Sequence, residues 1–267
     1  MRADCARACA PYRLVLPTSP LAGRAGDRLG RGTGSSLEFM DFRDYAPGDD
    51  LRHIDWRSYA RTDQLKVRLF REEISPELEI VADFSPSMGS SERKERALRD
   101  LVGAAAHWAQ RAAGRARCLL AGGGALDDIE GATLSESTEP LPRLPLRPRS
   151  LRVWVSDFLF PGDPTPLLRR FANGAAHVYI VQLLDPWELD PEPEGLLRLL
   201  DVEAPEEIEI DLNERAVTRY RERLGRLRDG ILQATRSVGG SYACVAADDP
   251  ATMFRTALLP QGIIEPD

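Results

Sequence analysis

The chain has 267 residues, of which 43% are hydrophobic and 29% are charged, an ordinary composition for a globular protein. Residues 1–75 contain thirteen Lys or Arg and eleven Asp or Glu, so the acidic excess behind the formal net charge of -7 lies after residue 75. An acidic body argues against nonspecific nucleic-acid binding, which needs a basic face. No run of eighteen apolar residues occurs, so the sequence predicts no membrane span.

Four cysteines and the first ten residues bear on the compartment. Cys118 and Cys244 lie in apolar strand-like runs, where a cysteine is usually a small buried hydrophobe. Cys5 and Cys9 have the spacing C-x-x-x-C without a nearby histidine, which is a weak zinc signal and fits a disordered tail better. Residues 1–10 lack an apolar core of signal-peptide length. We therefore expect a reduced, cytoplasmic protein, and the role of Cys5 and Cys9 stays open.

The first 76 residues are predicted to lie outside the main domain. Residues 1–34 are predicted to form a flexible tail, because the Gly- and Arg-rich stretch 24–34 has neither the preceding strand nor the following Lys-Ser/Thr of a phosphate-binding loop. Residues 35–76 are predicted to form an arm packed on the core. Residues 65–70 alternate between apolar and polar or basic side chains, a pattern typical of a half-exposed strand at a sheet edge.

The segment 38–61 of this arm places aromatic residues between charges of both signs, with a Pro-Gly-Asp turn at 47–49. One interpretation is structural: Trp56 and Tyr45 pin the arm to the domain surface, ion pairs hold it there, and Trp56 is buried. The other interpretation is functional: the same residues form a recognition surface. The sequence alone supports both.

Residues 77–260 are predicted to form the main domain, followed by a C-terminal tail at 261–267. Apolar strand-like runs alternate with amphipathic helical patterns, an order typical of a mostly parallel α/β sheet with helices on both faces. A surface hairpin is expected at 196–212. The expected strands are 79–82, 116–121, 151–158, 177–184 and 242–246, and the expected helices are 91–113, 161–171, 213–238 and 250–259.

Oxygen-bearing side chains follow two of the expected strands. Asp83, Ser85 and Ser87 come directly after the first strand of the main domain, and Asp157 lies at the carboxyl end of the strand at 151–158. Because parallel strands in one sheet end on the same side, Asp157 is expected to reach the Asp83 loop. Carboxylate and hydroxyl oxygens are ligands of hard divalent cations, so this set predicts a Mg²⁺ or Mn²⁺ site.

A structural interpretation of the same residues stays open. Ser85 and Ser87 can cap the turn and the start of the following helix, while Asp83 can bond to amides of its own loop. In that case the three side chains shape the loop and bind no ion.

Five motifs occur together in the chain. They are Tyr45-x-Pro47-Gly48-Asp49-Asp50-x-Arg52-x-Ile54-Asp55-Trp56-x-x-x-Ala60-Arg61, Asp83-x-Ser85-x-Ser87-Met88, Val155-Ser156-Asp157-Phe158, Asp185-Pro186-x-Glu188 and Asp201-x-Glu203. Over residues 35–260 this combination resembles the bacterial family called domain of unknown function fifty-eight. The resemblance implies a von Willebrand factor A-like, Rossmann-like domain with an N-terminal extension that contains an edge strand or a small β element. It also implies association with a MoxR-type AAA+ ATPase.

The resemblance assigns roles to individual residues. In von Willebrand factor A domains the Asp-x-Ser-x-Ser motif holds the ion of a metal-ion-dependent adhesion site, which implies ligation by Asp83, Ser85 and Ser87 and a supporting position for Asp157. The implied partner-binding residues of the arm are Tyr45, Asp49, Asp50, Arg52, Asp55, Trp56 and Arg61.

One departure from that pattern concerns a threonine. Metal-binding A domains add a threonine from a separate loop. The corresponding segment here, residues 125–150, is short, and neither Thr133 nor Thr138 follows a glycine. A site without this threonine is expected to bind Mg²⁺ weakly.

These observations favour a non-enzymatic interaction module that acts as adaptor or substrate presenter for a MoxR-type ATPase. The alternative is a metal-dependent phosphatase-like hydrolase with Asp83 as the nucleophile. Ser85 occupies the position where such enzymes carry a general acid, no Gly-x-Ser-x-Gly motif occurs, and the three histidines are scattered. We therefore expect no enzymatic activity.

Overall fold

The computed structural model describes residues 1–16, 37–46, 54–72, 77–135, 144–160, 162–200 and 207–267. The chain divides into two compact units. The larger unit joins Met1–Leu21 with Pro76–Asp267, and the smaller unit is Ala22–Ser75.

The helices and strands follow one another in a largely alternating order. In the first half of the chain they are α1 (Ala3–Cys9), β1 (Tyr12–Leu14), β2 (Leu37–Asp44), α2 (Trp56–Thr62), β3 (Lys66–Glu72), β4 (Leu78–Ala82), a 3-10 helix (Pro86–Gly89), α3 (Glu92–Ala113) and β5 (Ala116–Leu120). In the second half they are β6 (Leu151–Ser156), α4 (Thr165–Ala172), β7 (His177–Leu184), α5 (Pro186–Leu189), β8 (Gly195–Leu200), β9 (Glu207–Leu212), α6 (Glu214–Ser237), β10 (Ser241–Ala246), α7 (Pro250–Met253), a π-helical turn (Phe254–Leu258) and β11 (Ile264–Pro266).

Five strands of the larger unit form one parallel sheet in the order β10-β7-β6-β4-β5. The central strands β4, β6 and β7 are almost entirely buried, as expected for a sheet that is covered on both faces. Neighbouring strands run in register, so that Ala82 lies beside Val155, and Val155 lies beside Val181. The predicted α/β fold with a parallel sheet is confirmed.

Alternate residues of the strands enter two hydrophobic clusters. On one face, Ile80, Val153 and Val181 pack in a cluster with Leu98, Leu101 and Trp108 of α3. On the other face, Val81, Trp154 and Ile180 pack with Phe171 of α4 and Ile231 of α6. Because successive side chains of a strand point to opposite faces, this division shows helices on both sides of the sheet.

The two longest helices begin and end where the sequence predicts. Ser91 caps α3 by accepting a hydrogen bond from the amide of Lys94, and Gly114 ends that helix with a positive φ of 71°. Asn213 caps α6 in the same manner, through the amide of Ala216.

The chain termini differ from the prediction. The prediction of a flexible tail is wrong for residues 1–16, since these residues form α1 and β1 of the larger unit. The rest of the predicted tail, residues 17–34, lies outside the described residues. Cys5 and Cys9 are fully buried in the core cluster that contains α3. The C-terminal tail predicted at 261–267 is wrong as well, because β11 pairs antiparallel with β1. Apolar side chains at both ends provide the reason, since Leu14 and Ile264 are buried.

In the smaller unit, β2 and β3 pair antiparallel as a separate two-stranded sheet. The prediction of a small β element is therefore confirmed, and the strand expected at 65–70 is β3, which pairs with β2. An isolated bridge joins Ile54 to Val67, and both side chains are buried.

The predicted surface hairpin is present as β8 and β9, which pair antiparallel from Gly195 with Leu212 to Leu200 with Glu207. Among the described helices, none combines the length and the apolar character that a membrane span requires.

A buried carboxylate holds the amino-terminal end of the main sheet together. Glu79 has an exposed fraction of 0% and accepts hydrogen bonds from the amide of Arg147 at 2.8 Å, from Ser150 Oγ at 2.7 Å and from Arg117 Nη1 at 3.0 Å. Arg152, which is also buried, lies 3.8 Å from Glu79. Glu79 thus joins β4, β5 and the segment that leads into β6.

We expect Glu79→Ala to lower the free energy of unfolding by about 3–5 kcal/mol, because it leaves the buried Arg152 without its carboxylate. Urea unfolding at neutral pH measures the change. Glu77→Ala is the matched control: Glu77 pairs with Arg147, whose side chain is 52% exposed, so its loss should cost at most about 1 kcal/mol. If Glu79→Ala lowers the free energy of unfolding by no more than about 1 kcal/mol, as expected for Glu77→Ala, the Glu79 contacts do not stabilise the sheet.

Candidate functional site

Asp83 and Asp157 meet at the carboxyl edge of the main sheet. The amide of Asp83 donates to the carbonyl of Val155 at 2.9 Å, which continues the β4–β6 ladder past the end of β4. Ser156 Oγ then donates to Asp83 Oδ2 at 2.7 Å. The two predicted acidic residues therefore lie on neighbouring strand ends, and Ser156 fixes the orientation of the Asp83 carboxylate.

The Asp83 loop brings both predicted serines beside this carboxylate. The amide of Ser85 donates to Asp83 Oδ1 at 3.0 Å, and the hydroxyl oxygens of Ser85 and Ser87 lie 3.0 Å apart. The 3-10 helix at Pro86–Gly89 creates this approach, because its tight turn returns Ser87 toward Ser85. Three oxygen-bearing side chains thus converge on one loop.

Lys94 is a central residue of the site, and the sequence patterns did not predict it. Its side chain is 0% exposed, and Nζ donates to Asp157 Oδ2 at 2.9 Å, to Glu188 Oε1 at 2.8 Å and to the carbonyl of Ser87 at 3.1 Å. An ammonium group has three N–H donors, so all of them are used. Burial lowers the pKa of Lys94, but the charges of Asp157 and Glu188 outweigh this effect and raise the pKa above its ordinary value. Lys94 is therefore a buried cation.

Two capped helices hold Lys94 and Glu188 in position. Ser91, the N-cap of α3, donates from Oγ to Asp185 Oδ2 at 2.6 Å. Asp185 is the N-cap of α5, and Glu188 closes the capping box by accepting from the amide of Asp185 at 2.8 Å. The Asp185-Pro186-x-Glu188 motif therefore has a structural explanation: it aims Glu188 at Lys94.

A sequence signal for Lys94 exists in hindsight. Lys94 precedes Ala97, Leu98 and Leu101 at helical spacing, so it lies on the apolar stripe of α3 that enters the core. A lysine at such a position requires buried carboxylates nearby, because an unpaired charge in the core is costly.

Two further hydrogen bonds fix the side chain and the backbone of Asp157. Asp157 Oδ1 accepts from the amide of Leu159 at 3.0 Å, and the carbonyl of Asp157 accepts from Gln182 Nε2 at 2.8 Å. The next residue, Phe158, has a φ of 56°, which is uncommon for a residue other than glycine. Phe158 is fully buried against Trp154, so packing maintains this conformation.

The segment that would carry the threonine of a metal-binding A domain runs beside the Asp83 loop. The amide of Ser135 donates to the carbonyl of Phe84 at 2.9 Å, and the side chain of Leu134 lies against Gly89. Thr133 is exposed, and Thr138 lies outside the described residues.

Oxygen donors for a cation are present, but they already make hydrogen bonds within the protein, and Asp83 accepts from the amide of Ser85 and from Ser156 Oγ. Asp83, Ser85 and Ser87 provide the carboxylate and hydroxyl chemistry that suits Mg²⁺. Asp157 Oδ2 instead bonds to the ammonium of Lys94. In the part of the chain that the structure describes, no three His, Cys, Asp or Glu side chains form a metal-binding group. The structure therefore brings Asp83, Ser85 and Ser87 together as predicted, whereas Asp157 is paired with Lys94.

The predicted partner-binding residues lie in the smaller unit or outside the described residues. Asp49, Asp50 and Arg52 belong to the latter group. Asp55 is buried and caps α2, since its Oδ1 accepts from the amides of Arg57 and Ser58 at 3.1 and 3.3 Å. The amide of Tyr45 donates to the carbonyl of Leu65 at 3.0 Å, while Arg61 is exposed.

The expectation that Trp56 is buried is wrong. The side chain is 58% exposed and meets Tyr59 edge to face, with the ring centroids 6.4 Å apart. Trp56 is the first residue of α2, and Asp55 turns inward to cap the helix, which leaves the indole facing outward.

We expect Asp83→Asn to unfold at a higher urea concentration than the wild-type protein at neutral pH in the presence of a chelator. Burial and the charge of Asp157 raise the pKa of Asp83 above its ordinary value of 3.8, although hydrogen bonds from Ser156 and Ser85 oppose the shift. The folded protein therefore binds this proton more tightly than the unfolded chain does. Its contribution to stability is present below the unfolded pKa and is lost as the pH rises through the folded pKa.

The gain in Asp83→Asn should consequently shrink as the pH falls toward the unfolded pKa. Asp249 is the matched control, because the hydrogen bond from Thr252 lowers its pKa and Asp249→Asn should lose stability at neutral pH. An Asp83→Asn variant that unfolds at a lower urea concentration than the wild type at every pH would contradict this expectation. It would support the structural interpretation, in which the Asp83 carboxylate shapes its own loop.

We expect Trp56→Ala to change the free energy of unfolding by less than about 0.5 kcal/mol, as is usual for exposed positions. Trp108→Ala is the control, since Trp108 is 2% exposed and its replacement should cost about 3–5 kcal/mol. Chemical unfolding of both variants decides whether Trp56 belongs to a core.

Comparison with known proteins identified one related family. Residues 41–127 match the family described as Protein of unknown function DUF58. No curated protein and no solved structure matched the chain. The matched stretch contains the signature segment of α2, the Asp83 loop and Lys94. The match confirms, over residues 41–127, the family that the sequence motifs predict.

Proposed function

We propose that this chain is a non-enzymatic protein-interaction module that binds its partner at the carboxyl edge of the main sheet. The observation that carries the proposal is the convergence of Asp83, Ser85 and Ser87 on one loop, with the two hydroxyl oxygens 3.0 Å apart. Hydrogen bonds from neighbouring elements preorganise these groups. Such preorganisation supports recognition, because little ordering is left to occur on binding.

A divalent cation, Mg²⁺ or Mn²⁺, is part of this proposal, with Asp83, Ser85 and Ser87 as its protein ligands. When bound, the ion would offer an open coordination position to a carboxylate of the partner. The protein groups hold the loop in shape, and Ser156 keeps the Asp83 carboxylate turned toward the serines.

The partner we propose is a MoxR-type AAA+ ATPase, for which the chain acts as adaptor or substrate presenter. The family match supports this proposal only indirectly, because the family is one of unknown function. The exposed pair of Trp56 and Tyr59 in the signature segment supports a contact role, since aromatic residues are enriched among the energetically important residues of interfaces.

The alternative is a phosphatase-like hydrolase with Asp83 as the nucleophile. It would need a general acid or base near Asp83. Asp157 lies beside Asp83 but is bound to the ammonium of Lys94, Ser85 Oγ contacts Ser87, and His177 begins β7, at the opposite end of the sheet. We therefore favour the interaction module.

The test uses the purified chain and the MoxR-type ATPase of the same organism. We expect calorimetry or biolayer interferometry to detect binding in Mg²⁺, and we expect Asp83→Ala and Ser87→Ala to weaken it at least about tenfold, which corresponds to about 1.4 kcal/mol. Glu222→Ala, on the exposed surface of α6, is the control and should bind as the wild type does.

Wild-type affinity in both site variants would contradict the proposed surface. Hydrolysis of a generic aryl phosphate that disappears in Asp83→Asn would contradict the non-enzymatic assignment and favour the hydrolase.

A further inference from the structure

Lysine is rare in this chain, which makes the position of Lys94 informative. Of the 35 basic residues, 33 are arginines, and the lysines are Lys66 and Lys94. An ammonium is a compact charge with three donors, whereas a guanidinium is a planar fork that fits carboxylates side by side. The acceptors around Nζ come from three separate elements: the Ser87 carbonyl, Asp157 and Glu188. This arrangement suits an ammonium.

The cost of burying Lys94 indicates a specific role. Removing a charge from water is unfavourable, and a well-packed apolar residue at such a position is often equally stable or more stable. The surrounding residues of α3, Ala97 and Leu98, are apolar and fully buried. Lys94 therefore gives the site a fixed positive charge at a place where helix packing alone would favour an aliphatic side chain.

Lys94 also contacts the predicted metal site directly. Its ammonium bonds to one carboxylate oxygen of Asp157 and to the carbonyl of Ser87, which is one of the proposed ligand residues. In a site without Lys94, a divalent cation bound to the same two groups would hold the Asp83 loop next to the end of β6.

We propose that Lys94 is the resident cation of this site: its ammonium binds Asp157 in place of a divalent ion and holds the Asp83 loop in shape without metal. The protein ligands that remain for a divalent ion are then Asp83, Ser85 and Ser87, and such an ion binds weakly. This inference rests on the proposed function of the same site and specifies its metal dependence.

Replacement of Lys94 by an uncharged residue tests the inference. In Lys94→Met, Asp157 and Glu188 lose their cation, and a divalent ion can supply the missing charge. We expect this variant to melt below the wild type in EDTA, to regain stability in millimolar MnCl₂ and to bind Mn²⁺ at least about tenfold more tightly than the wild type, as measured by electron paramagnetic resonance. Lys94→Gln, which retains hydrogen-bond donors, provides the same comparison if Lys94→Met does not fold.

Two further variants make the result specific. Lys66→Met, which removes the other lysine from β3, should leave Mn²⁺ affinity at the wild-type value. Lys94→Met combined with Asp157→Asn should lose the gained affinity, because the freed carboxylate is then absent.

The possible outcomes separate the two proposals. Mn²⁺ affinity that does not increase in Lys94→Met or Lys94→Gln overturns the resident-cation inference. Tight Mn²⁺ binding by the wild-type protein also overturns it, yet leaves the proposed metal site intact. Loss of ATPase binding in Asp83→Ala, together with tightened Mn²⁺ binding in Lys94→Met, supports both.

Discussion

The ammonium group of Lys94 lies where four parts of the larger unit meet. It bonds to the Asp83 loop through Ser87, to the end of β6 through Asp157 and to α5 through Glu188, and it belongs to the first turn of α3. Because the ion is buried, each of these carboxylates depends on it: an uncompensated charge in this environment is destabilising. The geometry of the sheet edge therefore depends on one positive charge.

The parallel sheet brings these parts together. In-register pairing of β4, β6 and β7 places three strand ends at one level, and the polar residues directly after them meet there. The capping interactions of Ser91 and Asp185 then set where α3 and α5 begin. A site of this kind combines long-range strand pairing with local helix-capping chemistry, and neither alone determines the positions of Lys94 and Glu188.

Sequence patterns predict the parts of this protein that obey simple periodicity. The apolar strands, the capped helices and the shared edge for Asp83 and Asp157 follow from them. The patterns did not predict that the terminal residues form regular structure, because the pairing of β1 with β11 joins segments about 250 residues apart in sequence. They also did not predict Lys94, since a lysine among charged residues at a helix start resembles a solvated one. The outward position of Trp56 depends on the inward cap by Asp55, which composition does not reveal.

A crystal structure of the wild-type protein grown in MnCl₂, with anomalous data collected at the manganese edge, tests the central claim most directly. We expect Lys94 Nζ within hydrogen-bonding distance of Asp157 and Glu188, and no anomalous peak in contact with Asp157. A manganese ion bound by both Asp83 and Asp157, with the Lys94 ammonium displaced from the site, would contradict it.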